Sequence, residues 1–586
     1  MRKLFFFLLL WPFLNTNAMQ VNYQIDISNP NTHYANVTIH ILNNTEKSIA
    51  IKMPVWTPGS YMIREFERNV DKVKASNGTA DLEIAKSDKS TWLIKDTKGA
   101  KSITITYPVY CFEAGVRTSY IDGDRAFFIL TSCLMYVHHF ENIKGELELK
   151  YPEQWKTVST TLQLVSKNHF SYNNYDELVD SPIEIGNHEE IKFMVKGVPH
   201  RAALIGLNNC PKEKFTTDIQ KICETMAAIV GEHPCKDYLF FIQHVEEGGG
   251  GLEHANSCVV QIPRFNYTKP DRYLAFLGLL AHEYFHLWNV KRIRPAALGP
   301  FDYSKENHTN LLWVAEGITS YYDELALYRA GYHTKEQYLD ALSSEFAATQ
   351  NRQGAWTQCL HEASYDAWIK EYRPNENSIN SNISYYTKGH VAAALLDIQI
   401  VKASNGTKHL DDLMQYLYKE FYIKQGRGFT DAEFYAAINL VAGQTIDMKE
   451  WVLQPNDAST YAKWRQILAY VECDLDSKTS EALTYTGINS EIKGDRLLIK
   501  STDANSPAVL AGLQAGDELI AVNDLRIKTN LDEILKNTTG PLFSITIARV
   551  GLIRVVTLTA TKSPKVGYKL IEKNKDNQFL SKWLMR

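Results

Sequence analysis

The stretch A-H-E-Y-F-H-L-W, Ala281 to Trp288, has two histidines four residues apart, with a glutamate directly after the first. On a helix this spacing places His282 and His286 one turn apart on the same face. Two such imidazoles can bind the same Zn²⁺, and Glu283 can then act on a water at the metal. Pro270 suits a helix start, and the apolar residues after it lack strand alternation, so the sequence predicts a helix here.

A catalytic zinc ion is held by three side chains with water in the fourth position, so a third ligand is required. The residues that follow, L-W-N-V-K-R-I-R-P, contain neither His nor Gly, which excludes the class with a third histidine near a glycine turn. Glu316 fits as a ligand from a second helix, because it lies in W-V-A-E-G ahead of a helical run. The competing side chains are Asp302, Glu306 and His308 in a polar stretch, and Asp323 and Glu324 beyond Glu316.

Several longer motifs are similar to one known family. They are G-G-G-G-L-E-H (Gly248–His254), H-E-Y-F-H-L-W-N-V-K-R-I-R-P (His282–Pro295), W-V-A-E-G-I-T-S-Y-Y (Trp313–Tyr322), Y-Y-T-K-G (Tyr385–Gly389) and, upstream, W-T-P-G-S-Y-M-I-R-E-F (Trp56–Phe66). On these residues the chain resembles the glycyl-aminopeptidase family of PDZ-bearing zinc metallopeptidases, relatives of aminopeptidase N and leukotriene A4 hydrolase. The resemblance spans nearly the whole chain after its first residues.

The resemblance implies roles for residues outside the zinc helix. Glu253 matches the glutamate that holds a substrate's free α-amino group, and a carboxylate near a cleft can pair with an ammonium. Gly250 and Gly251, just before it, let a backbone lie close to bound peptide. Tyr386 matches the tyrosine of the family's Y-x-K-G element that stabilises the oxyanion, and Tyr385 is the neighbour that could be mistaken for it. Each of these residues also has a purely structural alternative. The glycines could form a flexible loop, Glu253 could form a structural salt bridge, and either tyrosine could belong to the core or the surface.

In the implied mechanism one Zn²⁺ per chain polarises the substrate carbonyl, and Glu283 transfers a proton from water to the leaving amine. The thermolysin-like pattern commonly has a carboxylate one turn after the glutamate ligand, where this chain has Ser320. The partners of the zinc histidines therefore stay open, with Asn289 and Asp323 as candidates. Three nearby cations either meet a substrate carboxylate or an acidic loop, or form a solvated face: Lys291, Arg292 and Arg294.

Length and composition bound the class of protein. The chain has 586 residues and a net charge of −4, with 45% apolar and 22% charged residues. This length predicts about three or four domains, and the composition is ordinary for a globular protein. Because there is no basic excess, we expect neither nucleic acid nor anionic lipid as a partner.

The first residues, M-R-K, then L-F-F-F-L-L-L-W-P-F-L, then N-T-N-A, predict a secretory signal over residues 1–18 that is cut after Ala18. The apolar run Leu4–Leu14 is too short to span a bilayer and is interrupted by Pro12. No later apolar run in the sequence reaches the length of a membrane span. We therefore expect an exported protein, periplasmic or secreted, with no membrane span after signal removal.

Eight cysteines in an exported chain permit disulfides, although a protein of this size does not need them. Closeness in sequence alone favours Cys111 with Cys133 and Cys210 with Cys235. Because no pair has C-x-x-C spacing, the sequence does not favour a cysteine zinc site or a thioredoxin-type site.

The pattern along the chain predicts a multidomain α+β protein. Alternating and continuous apolar runs predict a β-sandwich-like domain over residues 19–198. Helical periodicity with a small sheet follows over 199–478, where the resemblance implies the thermolysin-like fold. The string S-P-A-V-L-A-G-L-Q-A-G-D-E-L-I-A-V-N-D, Ser506 to Asp524, is similar to a PDZ module, predicted over 479–565 with a C-terminal tail at 566–586.

Upstream of that string, Y-T-G-I (Tyr485–Ile488) occupies the position of a PDZ carboxylate-binding loop, whose N–H groups would receive a peptide C-terminus. The loop departs from the familiar G-L-G-F string. A structural PDZ domain without a ligand is therefore the alternative.

Together these patterns predict an exported zinc aminopeptidase that acts on peptides or proteins, with the preference for small N-terminal residues such as Gly or Ala that the resemblance implies. One alternative is an endopeptidase with the same core, in which Glu253 does not bind an amine. The other is a PDZ-based binding protein with an inert catalytic domain. The complete set of catalytic and ligand residues argues against the second: His282, Glu283, His286, Glu316 and Tyr386.

Overall fold

The computed structural model describes residues 18–538, 540–574 and 578–585. The predicted secretory segment falls outside these residues except for Ala18. The chain divides into two compact units, the first formed by residues up to 60, 64–189 and 303–305, and the second by 61–63, 190–302 and 306 onward. Among the described residues, no helix combines the length and apolar character needed to cross a membrane.

The first unit consists mainly of β-strands with alternating buried side chains. In one of them, Tyr34–Leu42, every second residue from Ala35 to Ile41 is buried. The elements are β1 (Gln20–Asp26), β2 (Tyr34–Leu42), β3 (Ile49–Lys52), β4 (Lys74–Ser76), β5 (Asp81–Leu82), β6 (Ala85–Lys86), β7 (Thr91–Ile94), β8 (Ser102–Tyr110), β9 (Tyr120–Ile121), β10 (Ala126–Phe128), β11 (Tyr136–Val137), β12 (Gly145–Lys150), β13 (Thr157–Ser159), β14 (Gln163–Ser166), β15 (His169–Tyr172), α1 (Tyr175–Val179) and β16 (Ile183–Gly186).

These strands form an eight-stranded sheet, β14-β15-β12-β1-β2-β8-β4-β5, and two four-stranded sheets, β13-β16-β10-β9 and β11-β3-β7-β6. The period-two pattern in the sequence reflects this arrangement, because the long strands β1, β2 and β8 bury alternate side chains against the core. The predicted β-rich N-terminal domain is confirmed.

The second unit begins with a five-stranded sheet, in the order β17-β18-β19-β21-β20. Its strands are β17 (Glu189–Val195), β18 (Val198–Ile205), β19 (Tyr238–Val245), β20 (Gly250–Glu253) and β21 (Ser257–Pro263). The sequence prediction placed β17 in the N-terminal domain with a boundary at 198, whereas the structure places the boundary after residue 189. Strand periodicity indicates a buried face but not the sheet that the strand joins, so it could not locate this boundary.

Helices predominate in the middle region of the chain, between this sheet and the C-terminal region, as predicted. They are α2 (Lys212–Val230), α3 (Pro270–Phe285), α4 (Ile318–Arg329), α5 (Lys335–Asn351), α6 (Leu360–Tyr365), α7 (Ser378–Ser381), α8 (Thr387–Ala403), α9 (Leu410–Leu417), α10 (Asp431–Ala442), α11 (Lys449–Val452) and α12 (Thr460–Leu468). Two boundaries follow the local signals in the sequence: α3 begins at Pro270, and α2 ends before Gly231, whose φ is 88°.

The C-terminal region forms the predicted PDZ-like domain around the sheet β23-β24-β25-β27-β28. Its elements are β22 (Cys473–Thr479), β23 (Ile488–Lys493), β24 (Arg496–Thr502), α13 (Pro507–Leu510), β25 (Glu518–Val522), β26 (Leu525–Arg526), α14 (Leu531–Asn537), β27 (Leu542–Arg549), β28 (Leu552–Thr559), β29 (Val566–Glu572) and α15 (Gln578–Leu584).

The region predicted as a tail is ordered into β29 and α15. β29 pairs with β22 in a separate antiparallel ribbon. The α15 helix packs on α4, because the buried Trp583 donates its indole N–H to Tyr321 Oη at 2.9 Å and Arg329 Nε donates to Leu584 O at 3.1 Å.

Candidate active site

The three predicted zinc ligands converge. Glu316 Oε2 lies 3.4 Å from His282 Nε2 and 3.2 Å from His286 Nε2. Ligands bound tetrahedrally at the usual zinc distances are separated from one another by about 3.4 Å, so the donor atoms suit one Zn²⁺. The competing side chains Asp302, Glu306, His308 and Glu324 are not part of this cluster.

The other imidazole nitrogens have partners that hold both rings in place. His282 Nδ1 lies 2.8 Å from Asp323 Oδ2, and His286 Nδ1 lies 2.8 Å from the backbone oxygen of Asn289. Both predicted candidates therefore contact a zinc histidine, Asp323 through its carboxylate and Asn289 through its carbonyl. With each Nδ1 carrying its proton toward oxygen, each Nε2 is left as the metal-binding atom.

The Asn289 side chain joins the two metal-binding segments. Its Nδ2 lies 2.8 Å from Val314 O and 3.0 Å from Ala315 O, both just before Glu316. It also lies 3.0 Å from Thr319 Oγ1. A single buried amide thereby sets the distance between the histidine pair and the glutamate ligand.

Two glycines bring Tyr386 to the site. Glu316 lies in a π-helical turn, Trp313–Gly317, that leads into α4. A Cβ on Gly317 would lie 2.5 Å from the Cα of Gly389, so only glycine permits this contact between the turn and α8. Tyr386 stands at the N-terminus of α8, with its ring centroid 6.3 Å from that of His282.

The neighbouring Tyr385 is a separate case. It is fully buried, stacks on Tyr386 at 4.7 Å, and its hydroxyl has no hydrogen-bond partner among the described residues. The half-buried Tyr386 is therefore the tyrosine placed to reach a substrate, in agreement with its position in the motif.

Two carboxylates stand beside the ligand cluster. Atoms of Glu253, Glu283 and His286 lie within 4.8 Å of one another. Glu253 and Glu283 are 4% and 5% exposed, and each has one oxygen without a hydrogen-bond partner in the described part of the chain. Burial raises the pKa of Glu283 to about 7, which suits a group that must accept and then release a proton.

The glycine-rich segment packs directly against Glu283. β20 is the edge strand of its sheet, and Gly250 has a φ of +117°. A Cβ on Gly251 would lie only 2.0 Å from Glu283 Oε1. The predicted substrate-binding glycines therefore lie at the site, and Gly251 leaves room for the Glu283 carboxylate.

An aromatic wall was missed by the sequence reasoning. Burial, followed by the charges of Glu316 and Glu253, raises the pKa of the Tyr61 phenol well above its ordinary value. Its ring makes edge contacts with Trp368 at 5.8 Å and Tyr372 at 6.0 Å. The only signal in the sequence was the upstream motif W-T-P-G-S-Y, to which no role was assigned.

Arg292 binds groups of the protein itself through its guanidinium. It is 8% exposed, and its guanidinium donates to Leu287 O, to Ala255 O and, at 2.8 Å, to Asn256 Oδ1. Because this loop directly follows Glu253, Arg292 holds the end of β20 in place. Nearby, the Arg294 guanidinium lies over the Phe301 ring at 5.6 Å.

The cysteines are all thiols in this structure. The disulfides that closeness in sequence favours, Cys111 with Cys133 and Cys210 with Cys235, are not formed in this structure; Cys133 interacts with Cys111 as a thiol. Cys235 instead lies 3.5 Å from His233, and Cys210 contacts Tyr267.

Family models match three parts of the chain. Residues 22–187 match the Peptidase M61 N-terminal domain, 275–392 the M61 glycyl aminopeptidase, and 498–549 a PDZ domain. An aminopeptidase N family protein from Idiomarina loihiensis has a similar solved structure, with a TM-score of 0.89 and 29% identity, covering 97% of this chain and 100% of that one. No match was found among curated proteins.

Two more distant structures are also similar. An M1 zinc metallopeptidase from Deinococcus radiodurans has a TM-score of 0.47 and 11% identity, over 74% of this chain and 94% of that one. Native yeast LTA4 hydrolase has a TM-score of 0.47 and 12% identity, over 77% of this chain and 71% of that one.

Proposed function

Because this chain is a metallopeptidase with the M61 N-terminal, M61 glycyl aminopeptidase and PDZ domains, we propose that it is a zinc aminopeptidase that removes single small residues from the free N-termini of peptides. The observation that carries this proposal is the buried Glu253 oxygen without a partner, beside the base and the ligand cluster. A buried carboxylate in that condition requires a donor, and a substrate ammonium supplies one.

The position of Glu253 favours release of one residue at a time. In an amino acid the α-nitrogen and the carbonyl carbon are only about 2.5 Å apart. Atoms of Glu253 lie within 4.8 Å of those of Glu283 and His286. An ammonium bound at Glu253 therefore brings the carbonyl of its own residue, and not that of the next residue, to the reacting position.

Each side chain then has a defined task. His282, His286 and Glu316 would hold one zinc ion per chain, which when bound polarises the scissile carbonyl and acidifies water. Glu283 accepts a proton from the attacking water and donates it to the leaving amine. Burial and the charge of Glu316 keep the pKa of Tyr386 well above its ordinary value, so its hydroxyl remains a donor for the developing oxyanion.

The aromatic wall supports a preference for small N-terminal residues such as Gly or Ala. The charge of Glu253, which would hold the first residue of a substrate, acts on the buried Tyr61 phenol, and edge contacts with Trp368 and Tyr372 hold the Tyr61 ring in place. We expect Tyr61→Ala to shift the kcat/KM ratio toward substrates with N-terminal Leu or Phe. An unchanged ratio would show that Tyr61 does not set the preference for small N-terminal residues.

The decisive experiment compares tripeptides with free and N-acetylated N-termini, together with zinc analysis. We expect release of the first residue from free peptides only, abolished in Glu283→Gln with zinc retained and in His286→Ala with zinc lost. Glu253→Gln should weaken turnover of free peptides. Equal cleavage of acetylated peptides would instead identify an endopeptidase, and a fully active Glu283→Gln variant would contradict the base assignment.

We also propose export and a peptide-binding PDZ domain. Export rests on the basic, apolar and small-residue segments of residues 1–18 and is tested by N-terminal sequencing of the mature protein. Peptide binding rests on β23, an edge strand that follows the Y-T-G-I loop and leaves one side for an added strand. Titration with peptides that carry a free or amidated C-terminus tests it.

A further inference from the structure

A narrow recess runs along one face of α8, which we call the α8 recess. Its floor contains Lys388, Val391, Ala392 and Leu395, which share one face of the helix at the spacing i, i+3, i+4, i+7. The facing wall comes from α11, α12 and the segment between them: Glu450, Trp451, Pro455, Asn456, Thr460 and Trp464. The cavity volume of the recess is about 20 Å³, enough for one small ion or water molecule.

Two buried donors in this recess lack acceptors. Lys388 is 6% exposed and Asn456 is 7% exposed. Neither Lys388 Nζ nor Asn456 Nδ2 has a hydrogen-bond partner among the described residues. A buried ammonium without a compensating partner is strongly unfavourable, and an unpaired amide NH₂ adds to the penalty, so a missing acceptor is indicated.

The charged groups nearby do not supply that acceptor. The Glu450 carboxylate on the wall forms an ion pair with Lys463. The Cys359 thiol lies within electrostatic range of Lys388. It is uncharged at neutral pH, because burial raises the pKa of the thiol. Burial lowers the pKa of Lys388 to about 8, so the amine still carries its charge at neutral pH.

We propose that the α8 recess binds a small monovalent anion, a halide or a short carboxylate, between Lys388 Nζ and Asn456 Nδ2. Lys388 lies in the first turn of the 17-residue α8, where the helix N-terminus adds positive potential. The apolar side chains of Trp451, Trp464 and Leu395 exclude water and strengthen the attraction. The narrow space selects a small ion over a peptide or a nucleotide.

The anion would order the start of α8. Tyr386 stands at that helix terminus, two positions before Lys388. Compensation of the Lys388 charge removes a repulsive interaction with the helix N-terminus and so stabilises the turn that carries the tyrosine. The site does not depend on peptidase activity and is tested without it.

The test uses crystals of the full mature chain soaked in sodium bromide and anomalous diffraction. We expect a bromide peak in contact with Lys388 Nζ and Asn456 Nδ2, absent in Lys388→Met. If added acetate displaces the bromide, a carboxylate is the better ligand; if bromide persists, a halide is. A wild-type map without an anomalous peak there, or an unchanged peak in Lys388→Met, overturns the proposal.

A second variant guards against a folding defect in Lys388→Met. Asn456→Asp places a carboxylate in the recess, where it can pair with Lys388 in place of the ion. We expect the melting temperature of the wild type to rise with bromide or acetate, relative to gluconate at equal ionic strength, and to saturate. The melting temperature of Asn456→Asp should not respond. An equal response of both proteins would contradict the site.

Discussion

Replacement of Gly251 by alanine should disable the enzyme without unfolding it. The added Cβ would lie 2.0 Å from Glu283 Oε1 and 2.2 Å from its Cδ. An ordinary contact is about 3.4 Å, so the carboxylate must move by more than about 1 Å. A misplacement of that size costs on the order of 10²-fold in rate, or about 2.7 kcal/mol of transition-state stabilisation.

Because the φ of Gly251 is not positive, alanine fits its backbone without strain, and we expect little change in the melting temperature. Gly249→Ala is the matched control, since its Cβ would meet Gln261 O at an ordinary 3.7 Å. The assay is kcat/KM on a free N-terminal alanyl tripeptide, with zinc content measured in parallel. A Gly251→Ala enzyme within about threefold of wild type, with zinc bound, would refute the placement of the base against this strand.

Three further substitutions test the supports of the site. Asp323→Asn should lower zinc affinity by about 10–100-fold, measured in competition with a chelator, because the His282 ring loses its anionic partner. Glu324→Gln is the control and should leave zinc affinity unchanged. Equal affinities of the two variants would contradict the role of Asp323 in orienting His282. Arg292→Met should raise KM for free peptides about tenfold, because the loop after Glu253 loses hydrogen bonds that hold it in place. An unchanged KM would show that this loop keeps its conformation without Arg292. Trp583→Ala should lower the free energy of unfolding of the second unit by about 3–5 kcal/mol, because a fully buried indole is lost. The measurement is the denaturant midpoint, with Gln578→Ala as the neutral control. An equal midpoint in both variants would mean that α15 adds no stability.

Local sequence signals predicted the helices well but not every tertiary boundary. Pro270 marks the start of α3, and Gly231 follows the last residue of α2. By contrast, β17 joins the sheet of the second unit and not the N-terminal domain, and the predicted tail forms β29 and α15. Caps and turns depend on a few adjacent residues, whereas the pairing of a strand depends on a partner far away in the chain.

The same distinction applies to the site. The spacing of His282 and His286 and the E-G string after them were sufficient to select the histidine pair and Glu316 from several competing carboxylates. They could not indicate that Asp323 orients His282, nor that Tyr61 packs against Trp368 and Tyr372. Gly317 and Gly389, which let α8 approach the turn that carries Glu316, are part of the motifs in the sequence. Only the structure shows why glycine is required there, because a Cβ at either position would clash with the other segment.

The sequence by itself determined which residues share a helix face, because the α-helical period converts a four-residue spacing into one direction in space. Apolar periodicity also indicated that a β-rich region precedes a helical one, and the string from Ser506 to Asp524 indicated a PDZ module after them. Only the tertiary structure decided which distant side chains complete the centre, how close Gly251 lies to Glu283, and where the arginines point. Those contacts arise from packing between segments far apart in the chain, and no local period encodes the distance between them.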